Sequence, residues 1–157
     1  MQIADLLSPE GVIAALKVQG KKQLLQELSA RAAGIVHNPE RRIYETLTER
    51  ERLGTTGVGQ GIAIPHGRLA NLDKIAGVFV RLDTPIEYDA VDNQPVDLVF
   101  MLLAPEGAGA DHLKALARVS RLLRNQTACD KLRAAKSAEA LYAILTEPAS
   151  GTNSVAA

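Results

Sequence analysis

Apolar positions along the first third of the chain change period twice. Residues 12–18 are apolar and partly β-branched, the composition of a strand. Leu24, Leu25, Leu28 and Ala32 then recur at helical spacing within residues 20–33. Asn38-Pro39 offers a capping residue and a proline at the first helical position, which predicts a helix over residues 39–53 closed by Gly54. A glycine-rich loop follows, and then a short strand over residues 61–64, with Pro65 and Gly67 expected to hold His66 at a strand-to-loop transition.

The middle of the chain is strand-rich. Residues 75–82 and 96–104 are near-continuous apolar runs, as expected of strands covered on both faces. Thr84-Pro85 is expected to break the first of them, leaving residues 86–88 as a short separate piece, and residues 92–95 read as a turn. Beyond a loop at residues 105–110, helical periodicity returns over residues 111–124, 127–134 and 137–145, with Ser137 as the cap of the last. This order predicts one layered α/β domain over residues 1–147 around a central sheet. Residues 148–157 are small and polar, the composition of a disordered tail.

Composition narrows the function classes. Lys plus Arg (18) equals Asp plus Glu (18), so there is no basic field to gather nucleic acid or anionic lipid. Three Tyr, two Phe and no Trp leave little for stacking on bases. The single cysteine, Cys129, excludes an internal disulfide and a cysteine zinc site, and it fits a small buried side chain in a cytoplasmic protein. The N-terminus lacks the pattern of a signal peptide, and no apolar run is long enough to span a membrane.

The chemistry concentrates between Gly57 and Arg68, where Gly57, Gly59, Gly61 and Gly67 crowd around His66. A Walker loop would carry Gly-Lys-Ser/Thr after the glycines, and this chain does not. A dinucleotide fingerprint needs a strand before the glycines and a helix after them, the reverse of the order here. There is no Gly-x-Ser-x-Gly elbow. The three histidines include no i, i+4 pair, so neither a metal nor another cofactor is indicated. What remains is an imidazole nucleophile. Neutral histidine can attack a phosphoryl group through one nitrogen if the other N–H is held by an acceptor. The glycine setting favours this over a merely structural histidine in a turn.

Phosphoryl transfer also requires donors: loop amides, a guanidinium or a second imidazole. Arg50 continues the apolar stripe of Ile43 and Leu47 at i, i+4 and i+7, where an arginine is costly without an anionic partner. Spacing alone fits equally a salt bridge at a helix end. His112 starts a helix whose apolar face includes Leu116, Val119 and Leu123, so it is either a second site imidazole or a satisfied core histidine. Arg68 either assists phosphate or faces water, and His37 reads as a surface residue.

Gly61 to Arg68, Gly-Ile-Ala-Ile-Pro-His-Gly-Arg, resembles the signature of the fructose/mannitol-type enzyme IIA domains of the phosphoenolpyruvate-dependent phosphotransferase system. The resemblance runs from Ile3 to Thr146. The motifs spanning Thr48 to Gly59 and Asp92 to Leu98 are similar to those of the nitrogen-regulatory branch. It implies a type-2 enzyme IIA fold, a mixed central sheet flanked by helices. It also implies that His66 takes a phosphoryl group from a small histidine phosphocarrier protein, with Arg50 and His112 completing the active site. On that basis Nε2 of His66 is expected to attack in line, while Arg50, His112 and the amides of the glycine loop neutralise the phosphoryl oxygens. Two roles of different class follow. A nitrogen-branch domain is expected to bind regulated partner proteins according to its phosphorylation state; a sugar-branch domain passes the group to a IIB domain of an uptake relay.

Overall fold

The computed structural model describes residues 1–148; the expected disordered tail lies, apart from Pro148, outside the described residues. Strand β6 (Val96–Pro105) is the centre of a mixed sheet. It pairs antiparallel with β5 (Ala76–Ile86) on one side, and parallel with β3 (Ile62–Ala63) and β4 (His66–Leu69) on the other. β1 (Val12–Leu16) lies parallel to β5, and β2 (Gly57–Gly59) folds back antiparallel onto β3.

The long apolar run of β6 is two interleaved sets of side chains, because successive residues of a strand point to opposite faces. Leu98, Phe100, Leu102 and Ala104 pack with Ala115, Val119 and Leu123 of α3 (Gly109–Arg124), and with residues of α4 (Gln126–Ala134) and α5 (Ala138–Leu145). Val99, Met101 and Leu103 pack on the other face with Leu24 and Leu28 of α1 (Lys21–Val36), and Ile43 and Leu47 of α2 (Glu40–Arg52). The layered α/β architecture expected from the sequence is therefore present, with helices on both faces. Ser137 caps α5 as expected, accepting from the Ala140 amide. Cys129 is buried against the Leu123 carbonyl.

Four local expectations are corrected. β5 is not broken at Thr84-Pro85 but runs to Ile86, with an irregular register between Arg81 and Ile86. β1 ends opposite Leu82, so Pro85, which has no N–H to give, interrupts no ladder on that side. Asn38 does not cap α2; its side-chain amide donates to the Asn71 carbonyl at 3.3 Å, and Pro39 takes the cap position. Helix α1 continues one turn beyond residue 33, to a left-handed cap at exposed His37 (φ 57°). Finally, His66 does not end a strand. Ile62 and Ala63 pair with Leu98 and Val99, and His66 and Gly67 pair with Leu102 and Leu103, so β3 and β4 share one register with Ile64-Pro65 as an interruption.

Candidate active site

The interruption at Ile64-Pro65 is what mounts the histidine. Pro65 has no amide hydrogen, and its carbonyl accepts from Leu102 at 2.9 Å, which keeps the two strand pieces in line. The Ile64 carbonyl faces the imidazole and receives Nδ1 of His66 at 2.8 Å. A carbonyl only accepts, so Nδ1 carries the ring proton and Nε2 carries the lone pair. Burial, followed by the positive charge of Arg50, lowers the His66 pKa; the Ile64 carbonyl and the Glu51 carboxylate work against this, and the net shift is downward. The ring is thus held neutral, in one tautomer, at neutral pH.

His66 opens onto a cleft of about 720 Å³ between α2 and the start of α3, lined also by Arg42, Thr46, Arg50, Arg68 and His112. Arg50 leaves the last turn of α2, half-buried, with Nη1 donating to the Gly54 carbonyl at 2.8 Å. Glu45 and Glu49 also border the cleft, but they pair with Arg41 and Arg52 on the exposed side of the helix, at 3.4 and 3.0 Å. Arg42, Arg50 and Arg68 therefore leave the cleft positive.

His112 lies in the first turn of α3 and is only 5% exposed. Its ring meets that of His66 edge-on, with centroids 5.4 Å apart and planes at 72°. Arg68, on the same face of β4 as His66, donates from Nε to Nδ1 of His112 at 3.4 Å. Nδ1 accepts, so Nε2 of neutral His112 bears the hydrogen. That buried nitrogen has no hydrogen-bond partner among the described residues. An unpaired buried donor costs about 1–3 kcal/mol, and this one belongs to the ring that meets His66 edge-on. Burial first, then the neighbouring His66 and Arg68, depress the His112 pKa as well.

The structure thus brings His66, Arg50, His112, Arg68 and Gly67 together. It does not bring Gly57, Gly59 or Gly61 to the cleft, which corrects the expectation that they wall the phosphoryl pocket. A Cβ on Gly57 would strike Ala90, and one on Gly59 would approach Asp92. Gly61 follows Gln60 in the β2–β3 turn with φ at 82°, and a Cβ there would lie 2.6 Å from Arg133 and 2.9 Å from Asp97. These glycines shape a hairpin. Gly67 belongs to the cleft for a different reason: a Cβ on it would stand 2.5 Å from Cγ2 of Thr46, so its lack of a side chain sets how closely α2 approaches β4. Thr46 and Arg42 escaped the sequence reading, although 42, 46, 50 and 53 recur at one-turn spacing beside the apolar stripe. Among the described residues no three His, Cys, Asp or Glu side chains converge as metal ligands, and no helix is long and apolar enough to cross a membrane.

The sequence profile described as "Phosphoenolpyruvate-dependent sugar phosphotransferase system, EIIA 2" matches residues 5–147. The chain belongs to this family. The EIIA chain is 60% identical to a nitrogen regulatory protein of Bradyrhizobium diazoefficiens over 148 residues, covering 94% of this chain and 97% of that one. It superposes with a TM-score of 0.87 on the crystal structure of the nitrogen regulatory protein IIA-Ntr from Neisseria meningitidis, at 36% identity, covering 92% and 99% of the two chains. IIA mannitol from Escherichia coli has a TM-score of 0.75 at 17% identity, covering 88% of this chain and 97% of that one, a likeness of fold alone. This EIIA domain is most like the nitrogen-regulatory members.

Proposed function

We propose that this EIIA domain accepts a phosphoryl group on Nε2 of His66 from a histidine phosphocarrier protein, and that its phosphorylation state governs which protein partners it binds. One observation carries the reading: the Ile64 carbonyl fixes the His66 tautomer so that Nε2 offers its lone pair, in a cleft that holds Arg50, Arg68 and an unpartnered His112 Nε2–H. Nε2 forms a bond to phosphorus as the P–N bond of the carrier's phosphohistidine breaks, and the electron pair returns to the carrier's imidazole. Nδ1 keeps its proton throughout, donated to the Ile64 carbonyl. Arg50 and the His112 N–H neutralise the equatorial oxygens, with Arg68 beside them, so positioning and electrostatics do most of the work. Adding about two negative charges to a cleft that holds three arginines offsets most of its positive charge, which is a physical basis for partner choice by phosphorylation state. The same reading places the protein in the cytoplasm with its donor.

The test is incubation of the protein with phosphoenolpyruvate and the upstream carrier proteins, followed by intact-mass and peptide analysis. The expected result is one acid-labile, alkali-stable adduct on His66, absent from His66→Ala. Normal labelling of His66→Ala overturns the assignment. A pull-down with phosphorylated protein and with His66→Ala is expected to retain partners that prefer one state; rapid loss of the label to a IIB domain would instead indicate the uptake relay.

A further inference from the structure

Next to Arg50 in sequence, but turned into the protein, is a carboxylate that the proposed chemistry does not use. The Glu51 side chain is only 6% exposed. Oε1 pairs with Nζ of Lys21, from the first turn of α1, at 2.9 Å and accepts from the Thr56 amide at 3.1 Å. Oε2 receives the Thr56 hydroxyl and lies 3.2 Å from the hydroxyl of Tyr88, which is itself 2.9 Å from Thr56 Oγ1. Tyr88 is fully buried, and Lys21 also sits over its ring, 4.4 Å from the centroid. Burial and the Glu51 charge push the Tyr88 phenol far up, so it remains a hydrogen-bond donor.

One carboxylate therefore joins four parts of the fold: the start of α1, the end of α2, the loop at residues 54–56 and the segment after β5. Arg50 leaves the same helical turn, and its guanidinium is tied to that same loop through the Gly54 carbonyl. Removing one member of so dense a buried network leaves the others unpaired, so its geometry is strongly specified.

We infer that Glu51 is a positioning residue for phosphoryl acceptance at His66: its clamped carboxylate fixes the turn from which Arg50 reaches the cleft. This rests on the phosphorylation reading above. The charge of Glu51 has a chemical use as well. An imidazole that forms an Nε2–P bond while keeping its Nδ1 proton gains positive charge, and a fixed carboxylate nearby favours that change. In the resting protein the same charge raises the His66 pKa, against burial and Arg50.

The experiment uses the full chain with phosphoenolpyruvate and the carrier proteins, reading initial rates against carrier concentration and titrating His66 by NMR. Glu51→Gln is expected to lower kcat about tenfold or more with little change in KM, and to move the His66 midpoint further down. Tyr88→Phe keeps the buried ring and the carboxylate, and is expected to lower kcat less while leaving the midpoint in place. Wild-type kcat in both folded variants overturns the inference. So does a Glu51→Gln protein that loses only thermal stability, with rate and midpoint unchanged. If Glu51→Gln does not fold, Tyr88→Phe decides by its rate. Failure of the underlying reading looks different: the wild-type chain itself would take no label on His66.

Discussion

At His66 a single hydrogen bond decides which nitrogen carries the lone pair. The Ile64 carbonyl accepts the Nδ1–H, burial lowers the ring's pKa, and Nε2 is left with the lone pair that the proposed transfer uses. Because the pKa lies below the ordinary histidine value of about 6.5, the nucleophilic form is already the major one at pH 6.5. An NMR titration is expected to show the His66 midpoint below the ordinary histidine value. Arg68 plays the corresponding part for His112 by donating to Nδ1. Arg68→Met removes that donor and a neighbouring positive charge. We expect the His112 midpoint to rise toward the free value and labelling of His66 to slow by about tenfold. An unmoved His112 midpoint would show that the Arg68 contact does not set its state.

The decisive contact between elements is the one that has no side chain on one partner. Gly67 lets α2 lie against β4, with Thr46 where a methyl group would otherwise be. Gly67→Ala is expected to destabilise the fold by about 1–3 kcal/mol, as overpacking does, and to slow phosphoryl acceptance by displacing Arg50. Thr46→Ser removes the Cγ2 methyl that would clash, and leaves Thr46 Cβ as the nearest atom at 3.7 Å. The double variant should therefore recover most of the loss in both chemical denaturation and labelling rate. If it does not, the close approach of α2 to β4 is not what Gly67 supplies.

Taken as one molecule, the EIIA chain carries two histidines whose pKa values are lowered in the folded state, in contact with each other. Below about pH 6.5 the unfolded chain binds protons that the folded chain resists. Folding stability is then expected to fall as pH drops through 6.5 toward the folded midpoints, with no contribution from this pair above 6.5. Urea denaturation at pH 5.5 and 7.5 measures the difference, and His112→Gln should shrink it. A difference unchanged in His112→Gln would rule out a role for that histidine in acid sensitivity.

Periodicity located the helices, the two long strands and the layered α/β class, because apolar spacing depends on local geometry that each segment carries with it. The order of helix, glycines and strand excluded a nucleotide loop, and Pro65 beside His66 marked the special position. Which partners each side chain meets was a different matter. Arg50 and His112 were undecided on spacing, since neither a cleft nor a salt bridge is written into one helix. Gly57, Gly59 and Gly61 lie close to His66 in sequence, yet the β2–β3 hairpin carries them to other neighbours. Pro85 stayed within a strand because β1 stops before it reaches there. Glu51 carries no sequence signal of its own, and Lys21, Thr56 and Tyr88 close around it from segments distant in the chain. The sequence by itself determined most of the elements and singled out His66. Only the tertiary structure decided the tautomer, the charge balance of the cleft and the clamp behind Arg50, because each depends on groups brought together by long-range packing.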